Sequence, residues 1–329
     1  MKLAVVILNW NGLKLLETFL PSVVKYSDGH DVYVIDNAST DPSVSFIEQH
    51  YPTVKCLKLT HNIGYTGGYN EGLKRINADV FCLLNSDVEV TKNWLNPIIN
   101  TFESKMNTAI IQPKILDYNH KNSFEYAGAA GGFIDQLGYP YCRGRIFNAI
   151  EEDHGQYNNE DDIFWASGAC LCIRAQAFES LGGFDSRFFS HMEEIDLCWR
   201  AQNKGMTVSY VGQSTVYHVG GASLDVSNPK KTYLNFRNSL YTLVKNTHQP
   251  LFIIVCLRML LDGIAGIRFL FQLTPKHTLA IINAHGSFYK SLPGLLQFRR
   301  QHPTRKAHSL LPSIVWSHFV LNIKNFNKL

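Results

Sequence analysis

The sequence predicts an α/β protein with a mostly parallel, twisted sheet and helices on both faces, followed by a helical C-terminal extension. Short apolar runs alternate with helix-like periodic segments over the first two-thirds of the 329 residues. Polar, glycine-containing segments directly follow several of the apolar runs. From Lys230 onward the chain becomes apolar and basic. Alternation of strands and helices is typical of a parallel sheet covered on both sides.

The first elements follow this alternation in order. Ala4–Leu8 reads as a buried strand, and Leu13–Tyr26 reads as a helix with one apolar stripe that contains Pro21. The alternation continues with strands at Val32–Ile35, Val54–Leu59 and Asp79–Leu84, and with helices at Ser43–His50 and Tyr69–Ile76. In such sheets ligands bind at the carboxyl ends of the strands.

The next part of the chain is less regular. We expect the stretch from Asp117 to Phe164, rich in Gly, Tyr and Asn, to cover the site and meet an acceptor. A strand at Cys170–Ile173, a helix at Glu193–Lys204 and a strand at Thr207–Val211 follow. We therefore predict one large domain over residues 1–230 and a helical extension over residues 231–329.

The extension has an unusual charge balance. It holds fourteen Lys and Arg residues from Lys230 onward but one acid, Asp262. Pro250–Leu273 is apolar and long, yet Arg258, Asp262 and Arg268 fall in one sector of a helix. An amphipathic helix in the interface of an anionic membrane is therefore favoured over a membrane-spanning helix. The alternatives are packing on the protein's own body or a homodimer contact.

Composition narrows the cellular setting and the partners. The seven cysteines form no CxxC pair, and Met1–Leu8 lacks the features of a signal peptide. A reducing cytoplasm fits, and with the basic extension we expect a peripheral protein on the cytoplasmic face of the plasma membrane. No nucleic-acid-binding signature is present, so nucleic acid is not expected as a partner.

Polar clusters at the predicted strand ends indicate a site. Asn9–Gly12 follows the first strand, Asp36–Asp41 the second, and Asn85–Asp87 the fourth, while Asn62–Asn70 leads into a helix. A carboxylate such as Asp87 can bind a hard cation whose other ligands are phosphate oxygens. For each cluster taken alone, turn and capping residues are the favoured explanation.

Two further segments carry candidate chemistry. Glu193 and Glu194 begin a helix and point about 100° apart, so one of them could face a cleft as a general base. Dipole capping explains acids in a first turn equally well, and Asp196 is expected to pair with Arg200. His218 precedes a Gly-Gly pair outside any predicted element and is a candidate metal ligand.

These segments, in this order, resemble the family 2 glycosyltransferases of the GT-A fold, a Rossmann-like fold. Within that family the sequence is most similar to the rhamnosyltransferase-like and galactofuranosyltransferase-like branch. The resemblance covers roughly residues 1–250 and is carried by Val5–Gly12, Val34–Asp41, Asn62–Gly72, Leu83–Glu89, Trp165–Arg174, Gly182–Arg200 and His218–Ser223.

The resemblance implies roles for individual residues. Asp87 matches the last acid of a DxD metal motif whose first position is Asn85 here, and His218 matches the histidine that completes the metal site. Glu193–Glu194 matches a Glu-Asp pair whose second member is the base, so Glu194 is longer by one methylene. The donor side is implied to comprise Asn9, Asp36, Asn62, Gly64, Gly68, Asn70, Asn85 and Asp87, and the acceptor side Trp165, Ser167, Gly168 and Asp196.

The implied reaction is metal-assisted sugar transfer with inversion, using Mg²⁺ or Mn²⁺. The donor is a nucleotide-diphosphate sugar, with rhamnose the first candidate. The acceptor is a hydroxyl of a glycan or polyprenyl-linked glycan in cell-surface polysaccharide synthesis. A sugar-1-phosphate nucleotidyltransferase is an alternative, although Asn9–Gly12 is short for its nucleotide loop. An inactive nucleotide-sugar-binding protein is another.

Overall fold

A computed structural model describes residues 1–220 and 228–329 of the chain. The N-terminal half contains β1 (Leu3–Asn9), α1 (Leu13–Tyr26), β2 (Asp31–Asp36), α2 (Ser43–His50), β3 (Lys55–Lys58), α3 (Gly64–Leu73), β4 (Val80–Leu84), β5 (Val88–Val90), α4 (Leu95–Ser104) and β6 (Thr108–Asp117). The remainder contains β7 (Gly132–Ile134), β8 (Pro140–Cys142), β9 (Arg145–Ile146), β10 (Ala149–Ile150), β11 (Glu160–Asp162), β12 (Cys170–Arg174), α5 (Ala175–Ser180), α6 (Glu193–Asn203), β13 (Thr207–His218), α7 (Pro229–Asn246), α8 (Leu251–Phe271), α9 (Pro275–Gln301) and α10 (Ile314–Phe319).

The main sheet confirms the predicted α/β class. Its strand order is β11-β13-β6-β12-β4-β1-β2-β3, with β5 paired to β13. The strands from β4 to β3 are parallel, as are β6 and β13, whereas β12 runs antiparallel between β4 and β6. The two largest buried apolar clusters contain side chains of this sheet, one including Val6, Ile35 and Leu83 and the other Val5, Val34 and Cys82. Because side chains alternate across a strand, these clusters occupy opposite faces of the sheet.

Most predicted elements are present, with two informative differences. Helix α3 begins at Gly64 rather than Tyr69, because its glycine-rich first turns have low helix propensity and hide the helical pattern. Strand β13 extends beyond Val211 to His218. A register shift between Val211 and Thr215 interrupts its pairing with β6, which explains why the strand looked shorter in sequence. His218 therefore ends a strand and does not lie in an irregular loop.

The irregular stretch before β12 contains a second, four-stranded sheet in the order β10-β9-β8-β7. After β13, α7 packs against α6, and α9 packs against both α7 and α8. The predicted boundary at residue 230 falls in the first turn of α7. Within the described ranges, no helix combines the length and apolar character needed to cross a membrane.

Candidate active site

The carboxyl ends of β1 and β2 place Asn9 beside Asp36, which are partners in the strand register. Asn9 donates from Nδ2 to Asp36 Oδ1 at 3.1 Å, and the backbone N–H of Ser39 donates to Asp36 Oδ2 at 3.0 Å. A Cβ on Gly12 would lie 2.4 Å from Asn9 Oδ1, so glycine is needed there to admit the Asn9 amide. A carboxylate has lone pairs beyond these two bonds, so Asp36 can still accept from a ligand hydroxyl.

The segment before α3 is tied to the same edge. Asn62 Oδ1 accepts from Asn37 Nδ2 at 3.0 Å and from the Gly64 backbone N–H at 2.9 Å. Gly64 has a φ of +76°, and a Cβ there would lie 2.8 Å from the Phe189 ring. Gly68 lies one turn further on, buried against Leu8. The Asn62 amide therefore fixes the start of α3 beside Asp36, whereas Gly68 serves packing.

The ends of β4 and β13 bring together the predicted metal ligands. His218 Nε2 lies 3.2 Å from Asp87 Oδ1 and 3.5 Å from Asn85 Nδ2. On its other side, His218 Nδ1 lies 3.4 Å from Glu125 Oε1. Burial opposes protonation of His218, but the hydrogen bonds and charges of Asp87 and Glu125 outweigh it and raise its pKa to about 10. The cluster thus contains two carboxyl groups and one histidine, which leaves it with a net negative charge. Gly220 follows it, whereas Gly221 and the rest of the segment to Ser223 lie outside the described residues.

This cluster fits a divalent cation with two protein ligands. Ligand bonds of about 2.1 Å put adjacent ligand atoms of an octahedral ion about 3.0 Å apart, close to the 3.2 Å between Asp87 Oδ1 and His218 Nε2. Among residues 1–220 and 228–329, no three His, Cys, Asp or Glu side chains are arranged to hold a metal ion. A magnesium ion that also binds substrate phosphates needs only one or two protein ligands.

A segment with strained backbone conformations directly precedes the two candidate catalytic acids. Phe189, His191 and Met192 have φ values of +65°, +67° and +70°, and Met192 is the N-cap of α6. Such backbone costs about 1–3 kcal/mol per residue and persists only where contacts enforce it. The contacts come from α7, where Asn238 Nδ2 lies within 2.7–3.1 Å of the carbonyl oxygens of Phe188, Ser190 and His191.

Glu193 and Glu194 follow directly and are incompletely satisfied. The Oε2 atom of each carboxyl is buried without a hydrogen-bond partner. Burial and the charge of Glu194 raise the pKa of Glu193 well above its usual range. Burial raises the pKa of Glu194 to about 7, against hydrogen bonds from backbone N–H groups that lower it. Both carboxyls are therefore shifted towards the protonated form, and Glu194 can exchange a proton near neutral pH.

Tyr65 connects the acid pair with the metal-ligand cluster. Its hydroxyl donates to Gly168 O at 3.2 Å, and the charges of Glu193 and Glu194 help to raise its pKa. One residue further on, Ala169 O accepts from the Asn85 N–H at 3.0 Å. Tyr65 and the Gly168–Ala169 backbone thus lie between the acid pair and the strand end that carries Asn85.

Asp196 does not lie where an acceptor could reach it. Its side chain is 0% exposed and accepts from Arg200 Nε at 2.8 Å, Lys245 Nζ at 2.7 Å and Asn246 Nδ2 at 2.8 Å. The expected pairing with Arg200 is confirmed. The assignment to the acceptor side is wrong in this structure, because all of these partners belong to the protein interior.

Three more of the residues predicted to contact a substrate have side chains that bond within the protein. Trp165 is buried and donates from Nε1 to Phe133 O at 2.8 Å. Ser167 is buried, and its Oγ accepts from the Ala169 N–H. The Asn70 amide makes both of its bonds to the backbone of Phe184. These side chains therefore support the site through contacts within the protein. Of the four residues predicted on the acceptor side, only Gly168 is partly exposed.

Two residues that bear on the site were not found from the sequence. Glu125 lies in the irregular stretch, where no periodic pattern or motif singles out one acid, yet it contacts His218. Asn238 lies on α7 among many polar residues, and only its buried position identifies it. Both assignments depend on long-range contacts.

Comparison with known proteins was made by sequence and by structure. Residues 4–182 match the family described as "Glycosyl transferase family 2". Over 222 residues the chain is 27% identical to the N-acetylglucosaminyl-diphospho-decaprenol L-rhamnosyltransferase of Mycobacterium tuberculosis, covering 62% of this chain and 71% of that one. It is 26% identical over 214 residues to the low-salt glycan biosynthesis hexosyltransferase Agl10 of Haloferax volcanii, covering 62% and 64%.

Solved structures share the fold at low sequence identity. GalNAc-T7, crystallised with UDP, GalNAc and Mn²⁺, superimposes with a TM-score of 0.62 at 15% identity, covering 98% of this chain and 57% of that chain. Residues 1–349 of S. aureus TarS in complex with UDP-GlcNAc superimpose with a TM-score of 0.56 at 15% identity, covering 91% and 84%.

Proposed function

This chain belongs to the family 2 glycosyl transferases, and on that premise we propose that it transfers a hexose-type sugar, with inversion, from a nucleotide-diphosphate sugar to a hydroxyl of a glycan or polyprenyl-linked glycan. The observation that carries the proposal is the presence of two incompletely satisfied groups, with Tyr65 and the Gly168–Ala169 backbone between them. One is the Asp87–His218 cluster, and the other is the Glu193–Glu194 pair.

The donor and acceptor classes rest on relatives. A rhamnosyltransferase whose named acceptor is a polyprenyl diphosphate-linked sugar is 27% identical over 222 residues. Rhamnose is therefore the first donor sugar to test. Asp36 and Asn9 would bind the nucleoside, and the contacts of Asn62 with Asn37 and Gly64 at the start of α3 support this role.

The transfer step is a single displacement in which Glu194 acts as base. The acceptor oxygen forms a bond to the anomeric carbon while the bond from that carbon to the diphosphate oxygen breaks with its electron pair. The acceptor proton passes to a Glu194 oxygen, and a pKa of about 7 suits a base at neutral pH. Protonated Glu193 can donate a hydrogen bond within the site.

The leaving diphosphate needs its charge neutralised. Asp87 and His218 would hold a Mg²⁺ or Mn²⁺ ion, which supplies Lewis-acid stabilisation of the phosphate oxygens. Asn85 and Glu125 contact His218 and orient its ring, as outer partners of metal-binding histidines do.

The test is a panel of nucleotide sugars, including thymidine diphosphate rhamnose, with Mg²⁺ or Mn²⁺ and a polyprenyl diphosphate-linked acceptor. We expect metal-dependent donor binding and transfer to one acceptor class. Asp87→Ala should lower transfer by about a hundredfold or more, since the metal's effect amounts to several kcal/mol. His218→Ala should raise the metal concentration needed. Full activity of either variant in EDTA would exclude the metal role, and donor binding without transfer to any acceptor would favour a binding protein.

A further inference from the structure

Helix α8 buries charged residues and exposes apolar ones, which is the reverse of an ordinary surface helix. Its buried residues are Ile254, Arg258, Asp262 and Gly266, which are spaced by four and form one stripe. Amphipathic helices of globular proteins normally bury their apolar stripe and expose their charges. Of the three charged residues in the predicted polar sector, Arg258 and Asp262 therefore point into the protein, whereas Arg268 is exposed.

The buried stripe is held by specific polar contacts. Arg258 Nε donates to Asp262 Oδ1 at 3.1 Å, and its guanidinium carbon lies 3.6 Å from the centre of the Tyr139 ring. Asp262 also accepts from the Tyr139 hydroxyl at 3.3 Å and lies 3.2 Å from His285 Nε2. A buried ion pair contributes little net stability but is costly to break. These contacts thus fix which face of α8 points outward.

The outward face of α8 is apolar along its length. Its side chains recur at intervals of three or four residues, and each is between 46% and 65% exposed: Ile253, Leu257, Leu260, Ile264, Ile267 and Leu270. At the connection to α9, Phe271 and Leu273 are 85% and 88% exposed. An uninterrupted apolar surface of this kind marks an interaction site.

Charge indicates what covers this surface. Arg268 of α8 and Lys276 of the first turn of α9 adjoin this surface, and both are exposed. In all, eight basic side chains are exposed between residues 228 and 329: Lys230, Arg268, Lys276, Lys290, Arg300, Lys306, Lys324 and Lys328. The single acid of this part, Asp262, is buried against Arg258. A second copy of the same face would bring like charges together, whereas an anionic lipid surface complements them.

We propose that the outward stripe of α8 and the α8–α9 connection lie in the headgroup region of an anionic lipid bilayer. Apolar side chains of interfacial helices enter the boundary between headgroups and acyl chains, and the basic residues would contact the headgroups. The exposed Trp316 belongs to α10, and Arg268 of α8 lies over the ring of Phe319 in that same short helix. Tryptophan is enriched at this depth of a membrane.

The experiment is flotation of the full-length protein with vesicles, without donor or acceptor. We expect binding to vesicles of phosphatidylcholine and phosphatidylglycerol at low salt, weaker binding at high salt, and little binding to phosphatidylcholine alone. The double variant Leu260→Ser/Ile264→Ser should lower the partition coefficient at least about tenfold. Lys276→Gln should lower it about fivefold.

The matched control is Met106→Ser. Met106 is an apolar residue that is 78% exposed, and it lies between α4 and β6, outside the C-terminal helices. This variant should float like the unmodified protein. The proposal is overturned if full-length protein ignores anionic vesicles at low salt, or if the double variant binds as well as the control. Sedimentation showing a dimer that the double variant dissociates, without vesicle binding, would instead assign the stripe to a contact between copies. Donor binding is measured separately, so failure of this proposal and failure of the glycosyl transfer proposal are distinguishable.

Discussion

Helix α6 carries two kinds of acid within its first turn and a half. Glu193 and Glu194 each leave a buried carboxyl oxygen without a hydrogen-bond partner, and burial raises the pKa of both. Asp196 is more deeply buried, yet three protein donors surround it. Burial alone would raise the pKa of Asp196, but the charges of Lys245 and Arg200 lower it.

The difference separates a reactive acid from a structural one. Each of the three carboxyls has a buried oxygen, so burial does not identify function. What distinguishes the Glu pair is unmet hydrogen-bonding capacity, which is costly unless something else satisfies it. A substrate hydroxyl can satisfy Glu193 and Glu194, whereas protein donors already bond both oxygens of Asp196.

The largest effect is expected from Glu194→Gln, which keeps the shape of the side chain but removes its basicity. Transfer should fall roughly 10²–10⁴-fold, the usual contribution of a general base, while donor and metal binding are retained. Glu194→Asp should keep partial activity. Initial rates and donor titration measure both effects.

Glu193→Gln is the control on the neighbouring residue and should cost less activity. If Glu193→Gln is inactive while Glu194→Gln still turns over, the base is Glu193 and the assignment of the pair is wrong by one residue.

The converse substitution is Asp196→Asn, which should reduce stability. It removes the charge that compensates Lys245 and Arg200 in the interior, and breaking a buried pair costs about 3–5 kcal/mol. Urea unfolding should show this loss for Asp196→Asn and no comparable loss for Glu194→Gln. An Asp196→Asn protein that is stable but cannot transfer sugar would contradict the structural role assigned to Asp196.

Asn238→Ala tests how the Glu pair is positioned. Without its amide, the left-handed segment before α6 loses the contacts that enforce it. We expect kcat to fall about tenfold, in line with about 1–3 kcal/mol of backbone strain, with an unchanged KM for the donor. Thr242→Ala is the matched control, since Thr242 is a buried polar residue of α7 whose hydroxyl has no hydrogen-bond partner. An equal loss in both variants would indicate general disruption of α7.

The smallest effect is a pH dependence. The base must be deprotonated, so kcat/KM should decline as pH falls through about 7, the pKa of Glu194, by about tenfold per pH unit below it. This limb should be absent from the residual activity of Glu194→Gln. A profile that stays flat down to pH 5 would mean that Glu194 is not the base.

The sequence predicted what depends on local pattern. Strand and helix alternation gave the sheet, and α1 and α2 begin and end at the predicted residues. Asn9 and Asp36, and likewise Asp87 and His218, come together because strand ends share an edge. Such convergence follows from the topology of a parallel sheet.

What the sequence could not predict depends on contacts between distant residues. Asp196 looked as available as Glu194, because nothing local shows that Lys245 and Asn246 reach it from α7. The polar sector of α8 was recognised, but its direction is set by Tyr139 and His285. Periodicity identifies the faces of a helix without saying which one points inward.

The hydrogen bonds from α7 to the segment before α6 limit where this chain can be cut into fragments. The recognisable family match ends at residue 182, before Glu193. A fragment cut at residue 230 would contain both glutamates yet lack Asn238 and Lys245, which secure the backbone and the buried charges beneath them. A fragment that ended with the family match would lose both glutamates, and one that ended at residue 230 would keep them without the α7 contacts that hold them. Since α9 packs along α7, the smallest fragment that keeps the glutamates in place is longer than the segment that matches the family.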